Sequence, residues 1–196
     1  MKVLSLLQPW ASLVVMGKKK IETRSRNTKY RGTVLIHASQ RLSKQQIEIT
    51  KSSPFSCYIS SPYYLPTGKI IGRVDIVTTS ILSGSGDGIF FNEYGANFTE
   101  TELAFGNYQP GRYGWLLANP VEFPNKFACK GSLSIWDLQE KICRHCGCTE
   151  YDCKACVQNS CDGQPCYWID DNLCSACDTL DNHHKDLRSV RIQIPR

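Results

Sequence analysis

Two groups of residues in this chain are of types and spacings that do chemistry. The first is cysteine. Nine of the eleven cysteines fall between Cys143 and Cys177. The outer pairs, Cys143-x-x-Cys146 and Cys174-x-x-Cys177, have the knuckle spacing of a tetrahedral zinc site closed by four thiolates. Between them lie Cys148, Cys153, Cys156, Cys161 and Cys166, any four of which suffice for a second ion. An iron–sulfur cluster and an extracellular disulfide framework are the competing readings. His145, between two expected ligands, is expected to face solvent, and Trp168 to supply the little core that such a module has. A module of this size depends on metal to fold.

The second group is basic and lies near the N-terminus. Gly17-Lys-Lys-Lys-Ile-Glu-Thr-Arg24 places Glu22 and Arg24 two apart on a strand, hence on one face. That pair is either a structural ion pair or an arginine aimed at a phosphate or base edge, with Glu22 orienting it. Lys19 and Lys20 face opposite sides, so one of them looks into any groove there. Gly17 frees the backbone where a helix meets this strand, so its amides are expected to be open to a ligand. His37 and Ser39 share a face at another strand end, His37 being either a satisfied structural residue or part of the same site. Trp10, Tyr113 and Trp115 are the stacking candidates, with Trp10 the best placed for a groove wall and Trp115 the most suited to the core.

The elements that must position these side chains follow from apolar patterning. Val3–Leu6, Ile21–Arg24, Thr33–His37, Lys69–Ser80, Arg112–Ala118 and Gly131–Leu138 read as strands. A helix opens at Pro9 and stops at Gly17, and Arg41–Thr50 has helical character. Gly72 suggests a bulge or a close backbone approach. Ser83–Gly88 reads as a flexible insertion. Strands at irregular intervals, without regular helical crossovers, predict a mainly β (α+β) fold: a mixed or antiparallel barrel with short flanking helices and a small Cys-rich metal module.

Charge divides the chain in the same way. Residues 1–51 hold eleven Lys/Arg against two acids, the footprint of a phosphate-facing surface or of a solvated face. Residues 139–182 hold three bases against eight acids, which excludes a second phosphate-binding surface and favours docking a protein partner or packing back on the barrel. With 41% hydrophobic and 21% charged residues the chain reads as folded and soluble, and no apolar run approaches the ~18 residues that span a bilayer. Gln8, Pro9 and Trp10 interrupt the N-terminal apolar stretch and no cleavage site follows it, so a cytoplasmic location is expected.

Five separated blocks then carry a family resemblance. Leu4-Ser-Leu-Leu-Gln-Pro-Trp-Ala-Ser-Leu13, Gly17–Arg24, Tyr30-Arg-Gly-Thr-Val-Leu-Ile-His-Ala-Ser39, Ile71-Gly-Arg-Val74, and Gly111-Arg-Tyr-Gly-Trp-Leu-Leu117 with Lys130-Gly131 and Trp136 occur in the order of an ASCH domain. The resemblance covers residues 1–138 and implies a PUA-like barrel. It also implies a basic cleft that takes RNA or a flipped, modified nucleobase or nucleoside, with Trp10, Lys19, Glu22, Arg24, His37, Ser39 and Tyr113 as its contacts. Some ASCH proteins instead deacylate N4-acetylcytidine with a lysine, a threonine and a glutamate. Lys19 aligns with that lysine, and Glu22 stands at the threonine position. Here Lys18 and Lys20 would help to lower the pKa of Lys19. Others are ribonucleases, in which His37 or Lys19 would move a proton. The cysteine segment, residues 139–182, resembles small motifs of phage and bacterial proteins. Shorter relatives lack the stretch around Cys156 and Cys161, so Cys148, Cys153 and Cys166 form the implied inner set, and one or two zinc ions are expected. Residues 183–196 end in Ser189–Ile194, which alternates as a last strand.

Overall fold

The computed structural model describes residues 1–85, 88–91, 98–149, 153, 156 and 166–178. Its strands are β1 (Lys2–Leu6), β2 (Ile21–Arg24), β3 (Gly32–Ala38), β4 (Lys69–Ser85), β5 (Gly88–Phe91), β6 (Tyr113–Ala128) and β7 (Ile135–Asp137), with β8 (Trp168–Asp170) and β9 (Leu173–Cys174) in the cysteine segment. Among the described residues, three α-helices accompany them: α1 (Trp10–Val15), α2 (Lys44–Ile49) and α3 (Glu100–Ala104). The main sheet runs β2-β6-β4-β3-β1-β7, with β5 added to the end of β4. β1 and β3 are parallel and the other neighbours antiparallel, so the sheet is mixed, and it curls into a half-barrel.

Helix α1 plugs the concave side. Ala11, Val14 and Val15 pack with Leu4, Leu6, Val34, Ile36, Ile71, Val74, Ile76, Trp115 and Leu117 in the main apolar core. Gly72 is where helix and sheet meet most closely. A Cβ there would collide with the Val121 carbonyl and lie 2.7 Å from Val15 Cγ1, and the β4–β6 register shifts beside it. Both features expected of Gly72, a bulge and a close approach, therefore coincide. The C-terminus of α1 closes with Gly17 at φ +69°, the Gly17 amide bonding the Val14 carbonyl and the Lys18 amide the Leu13 carbonyl. Helix α2 begins at Lys44 because Ser43 and Gln46 cap it reciprocally.

Two expectations are corrected and one helix is added. Ser83–Ser85 is the end of β4, and Gly88 begins β5 opposite Ser85, so this is a hairpin arm whose residues 86–87 lie outside the described part. Helix α3 had no counterpart in the apolar patterning. β6 continues to Ala128, well past Ala118, and its second half supplies Phe123 and Phe127 to a second core with Val3, Leu35, Ile70, Leu138 and Ile142. Cys161 and the expected strand Ser189–Ile194 are outside the described residues. Among those described, no helix is long and apolar enough to cross a membrane.

Candidate nucleic-acid interface and metal centre

The ends of β1 and β3, the strand β2, the turn after α3 and the segment leading into β7 surround a cleft of about 1340 Å³. Trp10, Lys19, Glu22, Arg24, His37 and Ser39 all line it, joined by Thr23, Asn107, Arg112 and Lys130. Tyr113 does not line it. It is half-buried against the main core, opposite Arg24 in the β2–β6 pairing. Trp115 is buried as expected and lies under the Arg24 guanidinium, 5.7 Å from ring centre to Cζ.

Each lining residue is held by a local device. Trp10 opens α1 and packs edge-on against Phe55, while the buried Gln8 bonds the Ser12 amide and the Pro66 carbonyl, fixing the entry to the helix. Arg24 pairs with Glu22 at 2.8 Å and donates to the Ser5 carbonyl at 3.0 Å, so the two residues expected on one face are in fact in contact. His37 is boxed in. Its Nε2 lies 3.3 Å from the Cys129 carbonyl, which can only accept, so Nε2 carries the proton and Nδ1 accepts from the Ser5 hydroxyl at 3.2 Å. Ser5 Oγ in turn accepts from Trp136 Nε1 at 3.0 Å. Burial lowers the His37 pKa, against the opposing effect of the Cys129 hydrogen bond. Both ring nitrogens are thus engaged within the protein, and the imidazole forms part of the cleft wall.

Lys19 is buried at the floor. Its ammonium donates to the Ile21 carbonyl at 2.5 Å, lies 4.0 Å from Glu102 Oε1 and sits over the Tyr108 ring. Its pKa is lowered, first by burial and also by Arg24, while Glu22 and Glu102 oppose the shift. Burial thus replaces Lys18 and Lys20 as the cause. Nor are the amides near Gly17 open to a ligand. Those of residues 17–19 bond helix carbonyls, and those of Lys20 and Ile21 bond the two oxygens of Glu102 at 2.9 and 3.1 Å. Glu102 also accepts from the Tyr108 hydroxyl at 2.6 Å, and burial together with this carboxylate pushes the Tyr108 pKa well up.

Glu102, Tyr108, Asn107 and Arg112 are the site residues that sequence reasoning missed. One signal was available: Thr99-x-x-Glu102 is a helix-start pattern, and Thr99 Oγ1 does accept from the Glu102 amide at 3.1 Å. The turn that follows is pinned to β2, the Asn107 amide bonding Thr23 Oγ1 at 3.2 Å and Arg112 reaching the Thr23 carbonyl at 3.3 Å. Gly106 must remain small, because a Cβ there would lie 2.8 Å from the Tyr108 ring and 3.1 Å from Lys19 Nζ.

The cysteine segment packs on the far end of β6. Arg73 donates to the Arg144 carbonyl at 2.7 Å, and the Asn125 amide to the Cys146 carbonyl at 3.4 Å. Gly147, at φ +74°, lies against Phe123, where a Cβ would approach the ring to 2.8 Å. The sulfurs of Cys143, Cys146, Cys174 and Cys177 lie within 4.8 Å of one another, a set that can hold a metal ion. Cys148, Cys153 and Cys166 form a second such set, and Cys156 joins them as a fourth member. His145 is buried, against expectation, and Trp168 packs beside the cysteines as expected.

A family model for the ASCH domain matches residues 4–125, and the chain belongs to the ASCH domain family. Among curated proteins it is similar to activating signal cointegrator 1 of Mus musculus, 30% identical over 143 residues, and to that of Homo sapiens, 29% identical over the same length. Each match covers 71% of this chain and 22% of the relative, so the chain spans about a fifth of those proteins. Two solved structures of variants of ZmASCH from Zymomonas mobilis, 15% identical, match 70% of this chain and 89% and 87% of theirs, with TM-scores of 0.41.

Proposed function

We propose that the cleft binds RNA, or an unstacked, modified nucleobase or nucleoside, without cleaving it. The observation that carries this reading is the composition of one concavity: Arg24, Arg112 and Lys130 as cations, Glu22 orienting Arg24, Trp10 as an aromatic wall, and the polar edges of Ser39 and Asn107. Cations attract a phosphodiester, an aromatic face stacks a base, and fixed hydroxyl and amide groups read its edge. At about 1340 Å³ the space exceeds the ~300–1,000 Å³ of ordinary small-molecule pockets and suits a nucleotide with its neighbours.

A second reading, an amidohydrolase acting on N4-acylated cytidine or a ribonuclease, is favoured by the buried Lys19 of lowered pKa. The carboxylate beside it is Glu102, whereas Glu22 is committed to Arg24. Binding is preferred because the Lys19 ammonium is covered by Ile21, Glu102 and Tyr108, its side chain only 1% exposed. Incubation with N4-acetylcytidine and with short RNA separates the two. Tight, salt-dependent binding without turnover supports the first, and turnover lost in Lys19→Ala supports the second.

The cysteine segment is read as a zinc module whose Cys143, Cys146, Cys174 and Cys177 form a closed structural site. Its acidity and its seat on β6 suit a structural or protein-facing role, and reduced thiols fit a cytoplasmic setting. Zinc analysis of the purified protein tests this directly, a metal-free folded module being the contrary result.

A further inference from the structure

Resting on the zinc reading above, we propose that the module is a dinuclear thiolate centre. Its second ion is held by Cys148, Cys153, Cys156 and Cys166, next to the first. The eight described cysteines of the segment divide into two sets of four with none left over, and each set brings its sulfurs within 4.8 Å of one another. Four thiolates around one zinc at ~2.3 Å stand about 3.8 Å apart along the edges of the tetrahedron. The sulfurs keep that spacing within and between the sets: Cys146 to Cys174 is 3.7 Å, Cys148 to Cys166 3.6 Å, Cys146 to Cys156 3.5 Å and Cys156 to Cys174 3.8 Å. Cys153 and Cys166 are closer still, at 2.9 Å. Moreover, Cys146, Cys148, Cys156 and Cys174, two from each set, themselves satisfy the same 4.8 Å limit. The two ions therefore share a wall of four sulfurs. Cys156 completes the inner set, and its buried sulfur also lies against Cys146 and Cys174 of the outer site.

The two sets differ in exposure. All four outer cysteines are buried, whereas Cys153 and Cys166 of the inner set are half-exposed. A chelator reaches the inner ion first. The Cys166 amide donates to Cys153 Sγ at 3.3 Å, a bond that strengthens when that sulfur is a thiolate and so supports the loaded state.

The experiment is native mass spectrometry of the whole 196-residue chain reconstituted anaerobically with zinc. Wild type is expected to carry two ions, Cys156→Ser one, and Cys57→Ser, which alters an exposed cysteine remote in sequence from the module, two. One ion in both wild type and Cys156→Ser overturns the dinuclear centre and leaves the single outer site standing. No ion in wild type overturns both. Should Cys156→Ser precipitate, titration of wild type with cobalt(II) decides: thiolate-to-cobalt absorption that saturates at two equivalents supports the proposal, and saturation at one defeats it. Chelator removal from wild type is expected in two phases, the faster corresponding to the ion that Cys156→Ser lacks, and release of both ions in a single phase would overturn the proposed order.

Discussion

Replacing Lys19 by methionine tests whether the buried cation serves the site or the fold. The lost interactions are one charged hydrogen bond to the Ile21 carbonyl, roughly 1.5–3 kcal/mol, an attraction to Glu102 across 4.0 Å, about 4 kcal/mol at an effective dielectric of 20, the attraction of Glu22 and the contact with the Tyr108 ring, while the repulsion from Arg24 is relieved. Against these stands the desolvation of a buried ammonium, several kcal/mol, which methionine does not incur. The lowered pKa states that burial outweighs the attractions. Glu102 also keeps three donors, the Lys20 and Ile21 amides and the Tyr108 hydroxyl, so no orphaned carboxylate is left behind. Stability at pH 7 is therefore expected to change by no more than about 1 kcal/mol, well short of the ~3–5 kcal/mol for breaking a buried ion pair. The pH profile adds a second signature. With the folded pKa below the unfolded one, the unfolded chain binds more protons between the two values, so wild-type stability rises with pH across that window up to about 10.5. Tyr108 acts oppositely above about pH 10, where its raised pKa makes stability fall. In Lys19→Met the rise disappears and the Tyr108 fall remains. Urea unfolding at a series of pH values between 7 and 11 measures both. A loss of 3 kcal/mol or more at pH 7, or an unchanged rise, would refute the reasoning.

Three further outcomes follow from the same geometry. Gly131→Ala would drive a methyl into the His37 ring, to within 3.0 Å of Nε2 and closer to Cε1, with the Ser5 and Cys129 bonds preventing the ring from yielding. A destabilisation of about 1–3 kcal/mol in denaturant titration is expected, and a change under ~0.5 would show that the segment gives way freely. Trp10→Ala should weaken RNA or nucleoside binding by about 1–3 kcal/mol with little effect on its salt dependence, as read by fluorescence anisotropy; unchanged affinity would remove Trp10 from the site. Stripping metal with a chelator should also lower the melting temperature of the barrel. Ile142 leaves its cluster with Phe123 and Leu138, a loss of about 1.5–3 kcal/mol, or roughly 3–12 °C for a domain of this size. An unchanged barrel transition, followed by near-ultraviolet circular dichroism, would show that module and barrel are energetically separate.

Much of the fold was legible because local signals agreed with it. Ile21–Arg24 was bounded correctly from its β-branched and charged alternation, and Gly17 stops α1 as its position suggested. The candidate site was legible where residues lie close in sequence: Lys19, Glu22 and Arg24 on one strand entry, and His37 with Ser39 on another. Its remaining wall was not, since Asn107 and Arg112 come from the turn after α3, far along the chain, and their segment carries no strong periodicity. Glu102 is buried because it satisfies the Lys20 and Ile21 amides, a role that only tertiary contact reveals. Tyr113 shows the converse. Alternation identified the face it shares with Trp115 but not which way that face points, and the core claimed it. The cysteine spacing announced the outer metal set, while Cys156 was recognisable as an inner ligand only once its sulfur was seen within 4.8 Å of those of Cys148, Cys153 and Cys166.

The central claim is that the cleft beside β1 and β2 grips a phosphodiester. It is tested most directly by measuring the affinity of a short single-stranded RNA across a range of salt concentrations. With Arg112 and Lys130 facing the ligand, and Arg24 already paired with Glu22, log affinity is expected to fall with log salt with a slope of about −1.4, at ~0.7 per phosphate neutralised on a single strand. Lys130→Ala should reduce that slope by about 0.7 while leaving stability intact, because Lys130 is exposed. Binding that is indifferent to salt, or a slope that Lys130→Ala leaves unchanged, would contradict the account.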